Sequence, residues 1–353
     1  MKTNRFYQFQ ELLDKAKYFK LVCGAGNEDA EEVKRLSILY TLAGAKGMDV
    51  SANIDVVNAC MEGIDFAINL SEKFNINIDI RPYITVSVGM PGDHHVRKSI
   101  INLESCIKCD LCIPVCPTDA IPKELVVIKD KCIGCGNCSA ICPRQDVIKY
   151  EHNDRELKSL LPKCLEAGAE QIELHAAVAE DEAIMSEWKM ISDINPENHI
   201  SMCLDRLHLS NFALEKRVEK AKEIAGDRLI IQADGYPMSG GQDDYNTTLQ
   251  AIATADVINK KFNMKLRKSK NILIYLKKNN INQLLSGGTN SLTAELARQS
   301  NVNFQGVSLG TYARQIVKEF IQCEDFYEDM ENLRQGYSVA KALVVANIGE
   351  TFG

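Results

Sequence analysis

Residues 165–178 read LEAGAEQIELHAAV: the end of an amphipathic helix, a glycine, then an apolar run. LAGAKGMDV (42–50) repeats the order, and IAGDRLIIQ (224–232) is a looser third copy. Gly44, Gly168 and Gly226 sit where a helix needs a left-handed residue just past its end. Working outward, the apolar runs fall at 19–26, 47–53, 83–90, 171–178, 199–206, 228–235, 282–290 and 304–313. Helical periodicity fills the gaps at about 29–43, 54–70, 154–167, 181–193, 212–225, 243–280 (as two helices), 291–299 and from Ala313. Strand–helix alternation demands a parallel sheet with right-handed crossovers. Eight such units close a (β/α)8, TIM-like barrel; an open doubly wound sheet has no need of the eighth.

The alternation is broken once, after the third strand, by CIKCDLCIPVCP (106–117) and CIGCGNCSAICP (132–143). The expected organisation is therefore strands 1–3 in 1–98, a ferredoxin-like insert in 99–150, strands 4–8 in 151–323, and a helical appendix in 324–353. Eight of the thirteen cysteines lie in those two runs. Each run is C-x2-C-x2-C-x3-C-P. A [4Fe–4S] cube needs one thiolate per iron, and two-residue spacers let three sulfurs of one loop reach three corners. The fourth comes from the other run. Cluster I is thus assigned Cys106, Cys109, Cys112 and Cys142, and cluster II Cys132, Cys135, Cys138 and Cys116. Zinc sites use two CxxC pairs, not two quartets ending in Cys-Pro. Of the isolated cysteines, Cys60 and Cys164 read as core, whereas Cys23 and Cys203 end strands.

Bulk properties narrow the rest. A net charge of −7 argues against a broad nucleic-acid-binding face. The first residues lack the apolar region of a signal peptide, and no run approaches the roughly 20 apolar residues of a membrane span. A cytoplasmic location is expected, where cysteines serve as thiols or metal ligands.

In a barrel, the loop after the third strand lies on the face where active sites are built. A cluster-bearing insert there overhangs the mouth. Polar residues end the strands in register. Glu173 and His175 share a face by the period-2 rule, as do Asp49, Ser51 and Asn53, and Gln232 and Asp234. Asp205, Arg206 and His208 end strand five, and Asp93, His94, His95 and Arg97 follow strand three. Glu173, His175 and Asp205 are the candidate proton-handling residues. SGGTN (286–290) and SLGTYAR (308–314) follow strands seven and eight, where many barrels bind phosphate. Gly287, Gly288, Thr289, Gly310, Thr311 and Arg314 form the candidate phosphate site, with flavin mononucleotide (FMN) the attractive occupant because it accepts single electrons. In ADGYPMSGGQDDYNTT (233–248), Gly240 and Gly241 suggest a lid or a tight turn, and Asp243 a helix cap.

QADGYPMSGGQDDYNTTLQA, LLSGGTNSLTAELA and VSLGTYARQIV, with FKLVCGAG and the two cysteine runs, resemble the LdpA (light-dependent period) iron–sulfur proteins of cyanobacteria. The likeness runs from about 18 to 320 and is strongest in the cysteine runs and 232–314. It implies a two-cluster redox protein that feeds cellular redox state to the circadian clock, with the eight cysteines above as ligands. It carries no catalytic residue. Two readings follow: an electron-transfer or redox-sensing protein working with a donor or acceptor protein, and a barrel oxidoreductase whose clusters serve FMN or another phosphate-bearing small molecule at the mouth.

Overall fold

A computed structural model of the chain describes residues 4–90, 93, 97–152, 156–207, 209–237, 243–263, 265–269, 272–276 and 281–349. His94, His95, His208, Gly240 and Gly241 lie outside the described residues. Eight strands form a closed parallel barrel in chain order: β1 Tyr18–Val22, β2 Gly47–Ser51, β3 Tyr83–Gly89, β4 Gln171–His175, β5 Ile200–Leu204, β6 Leu229–Asp234, β7 Asn282–Ser286 and β8 Gly306–Leu309. Lys20 and Leu21 of β1 pair with Ser308 and Leu309 of β8, which closes the ring. The expected (β/α)8 architecture is present.

The longer helices are α1 Asn4–Asp14, α2 Ala30–Ala43, α3 Ile54–Leu70, α4 Leu157–Glu166, α5 Asp181–Ile194, α6 Asn211–Ala225, α7 Asp244–Ile258, α8 Thr293–Gln299 and α9 Met330–Ile348. Local chemistry marks their ends. Asp29, Asn53, Ser210, Asp243 and Asp329 cap α2, α3, α6, α7 and α9 through side-chain oxygens that accept backbone N–H groups. Gly44 ends α2 in the left-handed conformation at φ 96°, as its place in the repeat required.

Two stretches differ from expectation. The second helix foreseen before residue 280 is an antiparallel hairpin of Lys265–Ser269 and Ile272–Leu276. Its second strand, ILIYL, is rich in β-branched and aromatic residues, which favour strand over helix. Within 324–353, α9 is no appendix. Its Leu333, Ala340, Leu343 and Val344 are buried in the main core, and Gly336 lets it approach Leu39 of α2. Asn347 accepts the Ala294 amide, so α9 also docks on α8 and completes the ring of helices.

α1 closes the end of the barrel opposite the insert. Phe9, Leu12 and Leu13 pack with Tyr18, Tyr83, Ile230 and Leu284 in a separate apolar cluster. Arg5 grips Glu170 with two hydrogen bonds of 2.6 and 2.7 Å while lying 3.5 Å over the Tyr83 ring. The Tyr18 ring fills the barrel floor above this plug. A Cβ on Gly47 would stand 2.1 Å from the Tyr18 hydroxyl oxygen.

The insert is rooted by an antiparallel pair, Arg97–Ile101 with Ile148–His152, and has its own small core of Ile101, Ile121, Leu125, Val147 and Ile148. It is fastened to the loop after β1. The buried Lys98 ammonium donates to the carbonyls of Gly26, Lys129 and Cys132, and the Glu28 amide donates to Asp130. These ties hold the insert over the barrel mouth.

Gly47→Ala is expected to lower stability by about 1–3 kcal/mol in urea denaturation, the usual cost of overpacking. Combined with Tyr18→Leu, which vacates the space, the loss should fall short of the two single losses added together.

Candidate functional site between the barrel mouth and the insert

The cysteines fall into two groups in space. Cys106, Cys109, Cys112 and Cys142 ring one small cavity in the insert; Cys116, Cys132, Cys135 and Cys138 ring a second. The fourth cysteine of each run thus joins the other run's first three, the exchange expected for two cubane clusters. The donor chemistry fits as well. The Ser99 amide points at Cys132 Sγ at 3.4 Å, the Ala120 amide at Cys116 Sγ at 3.2 Å and the Lys108 amide at Cys106 Sγ at 3.4 Å. The Ser99 hydroxyl lies 3.5 Å from Cys138 Sγ. Such N–H and O–H groups stabilise thiolate charge. Burial, with Cys138, Cys116 and Cys132 close by, pushes the Cys135 thiol up to about 11. A thiol raised in this way becomes a thiolate readily only beside a cationic metal. Cys109 is exposed, whereas Cys132 and Cys138 are buried.

The barrel interior beneath is charged where many barrels are aliphatic. Lys20 of β1 is 1% exposed. Its ammonium donates to Asp49 Oδ2 of β2 at 2.9 Å and to Glu173 Oε2 of β4 at 2.5 Å. Ser87 donates to Asp49 Oδ1 at 2.5 Å, and Ser201 to Glu173 Oε2 at 2.7 Å. Burial alone would lower the Lys20 ammonium; Asp49 and Glu173 reverse this and hold it above its ordinary value. Burial would likewise raise Glu173, but Lys20 and His175 hold it well below the carboxylate range. Asp49 moves the other way, to about 7, through burial and then the Glu173 charge.

Above this layer lies a cavity of about 550 Å³. Glu173 and His175 line it, together with Asp234 and Ser286. Asp205 is buried outside the lining, and its Oδ1 accepts the Leu207 amide at 2.9 Å. Gly287, Gly288, Gly310, Thr311 and Arg314 form one side of the cavity. Thr289 does not reach it. Its hydroxyl donates to the Ser308 carbonyl at 2.7 Å and braces the two loops. Arg314 is 7% exposed, and its Nε and Nη1 make no hydrogen bond among the described residues. Glu32 Oε1 stands 4.0 Å from Nη1. The insert supplies the roof: Arg97, Ile133 and Cys135. Cys135 therefore borders both the second cysteine cavity and the barrel cavity.

Two features were passed over at the level of sequence. Lys20 lies inside FKLV, and its alternation with Tyr18 and Val22 was the available signal that it points inward. Cys135 carries no local sign of facing the barrel; that follows from how the insert docks.

Residues 164–346 match the family described as "Light dependent period A C-terminal domain", and residues 104–153 match "LdpA Fe-S cluster-binding domain". The chain belongs to the LdpA family. It is an iron–sulfur protein of that family. "Light dependent period A" of Synechococcus elongatus is 27% identical over 232 residues, 65% of this chain. The chain spans 64% of the length of that curated relative. Among solved structures, the YdjI aldolase from Escherichia coli K12 is similar over 99% of this chain and 95% of its own, at 9% identity and TM-score 0.43. "QR15, an Aldolase" is similar over 88% and 96%, at 10% identity and TM-score 0.43. Likeness at that level says nothing of chemistry. No helix among the described residues of this LdpA-family chain is long and apolar enough to cross a membrane.

Lys20→Met strands two carboxylates inside the barrel, and uncompensated buried charge costs about 3–5 kcal/mol. Urea denaturation should show a loss of that order. Adding Glu173→Gln should recover part of it, because the second change removes one of the two stranded carboxylates.

Proposed function

We propose that this LdpA-family protein is an electron-transfer oxidoreductase. It holds two [4Fe–4S] clusters in the insert and a phosphate-bearing small molecule, FMN foremost, in the barrel mouth. The clusters supply one-electron transfer when bound. The observation that carries this reading is the double position of Cys135. One side chain borders the second cysteine cavity and also the barrel cavity, so a metal-bound sulfur and a bound ligand share a wall.

The chain's own residues then have distinct tasks. Cys106, Cys109, Cys112 and Cys142 hold one cluster, and Cys116, Cys132, Cys135 and Cys138 the other. Ser99, Ala120 and Lys108 direct hydrogen bonds at the sulfurs. Ile107 and Leu111, 54% and 46% exposed, flank the exposed Cys109 and form the docking edge for a donor protein. Gly287, Gly288 and Gly310 leave room for a phosphate, and Arg314 offers it two unused N–H groups. The cavity is within the ordinary range for a cofactor-sized ligand.

Asp234 is placed to manage a proton. It is 2% exposed, and its carboxyl is held well above the usual range by burial, then by the charges of Glu173 and Asp205, with Ser286 tempering the shift. A carboxyl kept neutral in this way can donate to a ligand that gains electrons. Lys20 keeps Glu173 ionised and fixed, and Glu173 and His175 shape the wall facing the ligand.

The test is anaerobic purification with three readouts. Iron and sulfide should each approach eight per chain. Reduction should be reversible by EPR. The heat-released supernatant should contain FMN, or the protein should bind added FMN. Arg314→Ala should weaken that binding at least about tenfold, the cost of a lost charge-assisted pair, with iron unchanged. Absence of iron would overturn the whole reading. Full iron with no binding of FMN or other phosphate compounds would leave redox sensing through a partner protein in its place.

A further inference from the structure

Beneath the cavity, three metal-ligating side chains converge from two neighbouring strands. The ligand atoms of Glu173, His175 and Cys203 all lie within 4.8 Å of one another, and all three residues are buried. His175 and Cys203 are register partners of β4 and β5, so both point inward at one level. Cys203 Sγ is 3.0 Å from Glu173 Oε1, and His175 Nε2 is 3.7 Å from the same oxygen.

The two Glu173 oxygens are differently engaged. Lys20 and Ser201 both donate to Oε2. Oε1 is turned to Cys203 and His175. Oε1 accepts the Cys203 thiol, and a cation bound there would take the place of that thiol proton. Gln232 Nε2 lies 3.1 Å from Cys203 Sγ, the contact expected of a hydrogen bond that supports a thiolate. A second, independent feature points the same way. The Gln232 Oε1 of the neighbouring β6 is buried with no hydrogen-bond partner among the described residues, and Asp234, 2% exposed, lines the cavity beside Glu173 and His175. A buried acceptor without a donor calls for a cation or for water held by one.

We propose that Glu173 Oε1, His175 Nε2 and Cys203 Sγ bind one divalent cation of the zinc class at the floor of the barrel cavity. One thiolate, one imidazole and one carboxylate form a borderline-soft set that suits zinc, at about 2.0–2.3 Å per bond. Binding releases the Cys203 thiol proton to solvent. Three protein ligands leave a coordination position open, the pattern of catalytic rather than structural zinc. That position faces the cavity, with Asp234 beside it to hydrogen-bond whatever occupies it. The bound cation would take an oxygen of the cavity ligand, a carbonyl or an oxyanion. The cation site is separate from the cysteine pockets of the insert and does not depend on them.

The test uses the full chain, reconstituted anaerobically with iron and sulfide and then exposed to zinc. Zinc and iron are measured on one sample, and the zinc K-edge absorption gives the ligand set. The expected result is one zinc per chain beyond full iron, with one sulfur and the remaining neighbours nitrogen or oxygen. Cys203→Ser should remove the sulfur from that shell. Cys203→Ser and His175→Ala should each weaken zinc binding at least about tenfold, the loss that follows removal of even an outer partner, with iron retained as the sign of a folded protein. Zinc surrounded by four sulfurs would place it in the cysteine pockets and overturn the proposal. So would failure to bind zinc at full iron loading, or binding unchanged in both variants. Iron is read independently, so loss of the zinc site leaves the two-cluster reading standing.

Discussion

The ion network around Lys20 is the constraint from which the rest of the site follows. An ammonium, two carboxylates and two serine hydroxyls occupy the middle of a barrel that would otherwise be filled by branched aliphatic side chains. Burial of such a set is tolerable because each charge has its partner at hydrogen-bond distance; a missing partner would be severely destabilising. The network also requires the sheet to curl around its interior. Lys20 on β1 reaches Asp49 on the adjacent β2 and Glu173 on β4 across the interior. Stability alone does not call for this arrangement, since an apolar filling would serve as well. What the charges accomplish is placement: Glu173 is fixed and ionised beneath an open cavity, with one oxygen toward His175 and Cys203.

The insert completes the cavity from above. Its docking through Lys98 and the loop after β1 brings Arg97, Ile133 and Cys135 over the mouth. A cysteine-rich segment placed at the end of the chain would have no such roof to form. The position after the third strand therefore has a physical consequence: one of the two cysteine groups and the barrel cavity become neighbours. The exposed Cys109 lies in the other group of four cysteines. The insert thus offers a solvent-facing cysteine group flanked by apolar residues and a second group bordering the cavity.

Much of this was legible in the sequence, for identifiable reasons. The barrel strands were readable because fully buried parallel strands are continuous apolar runs and the helix–glycine–strand join recurs. The cysteine grouping was readable because cluster geometry ties spacing to ligation. Glu173, His175, Gly287, Gly288 and Arg314 followed from strand ends and loop order, and the structure brings them to one cavity. Lys20 was hidden in an apolar run, where a single lysine reads as an edge residue. Thr289 matched the loop pattern but spends its hydroxyl on Ser308. Asp205 ended a strand as expected, yet it serves the Leu207 amide outside the cavity. The hairpin at 265–276 and the core role of α9 were missed because both depend on tertiary packing rather than on local periodicity.

The central claim is that cluster-binding sulfur and ligand cavity share the wall at Cys135. Anomalous diffraction at the iron edge, from crystals grown without oxygen, tests it most directly. The account predicts two four-iron centres, one held by Cys106, Cys109, Cys112 and Cys142, the other by Cys116, Cys132, Cys135 and Cys138 with Cys135 facing the barrel cavity. A single centre, ligation within each run rather than across them, or an insert turned so that Cys135 faces away from the mouth would contradict it.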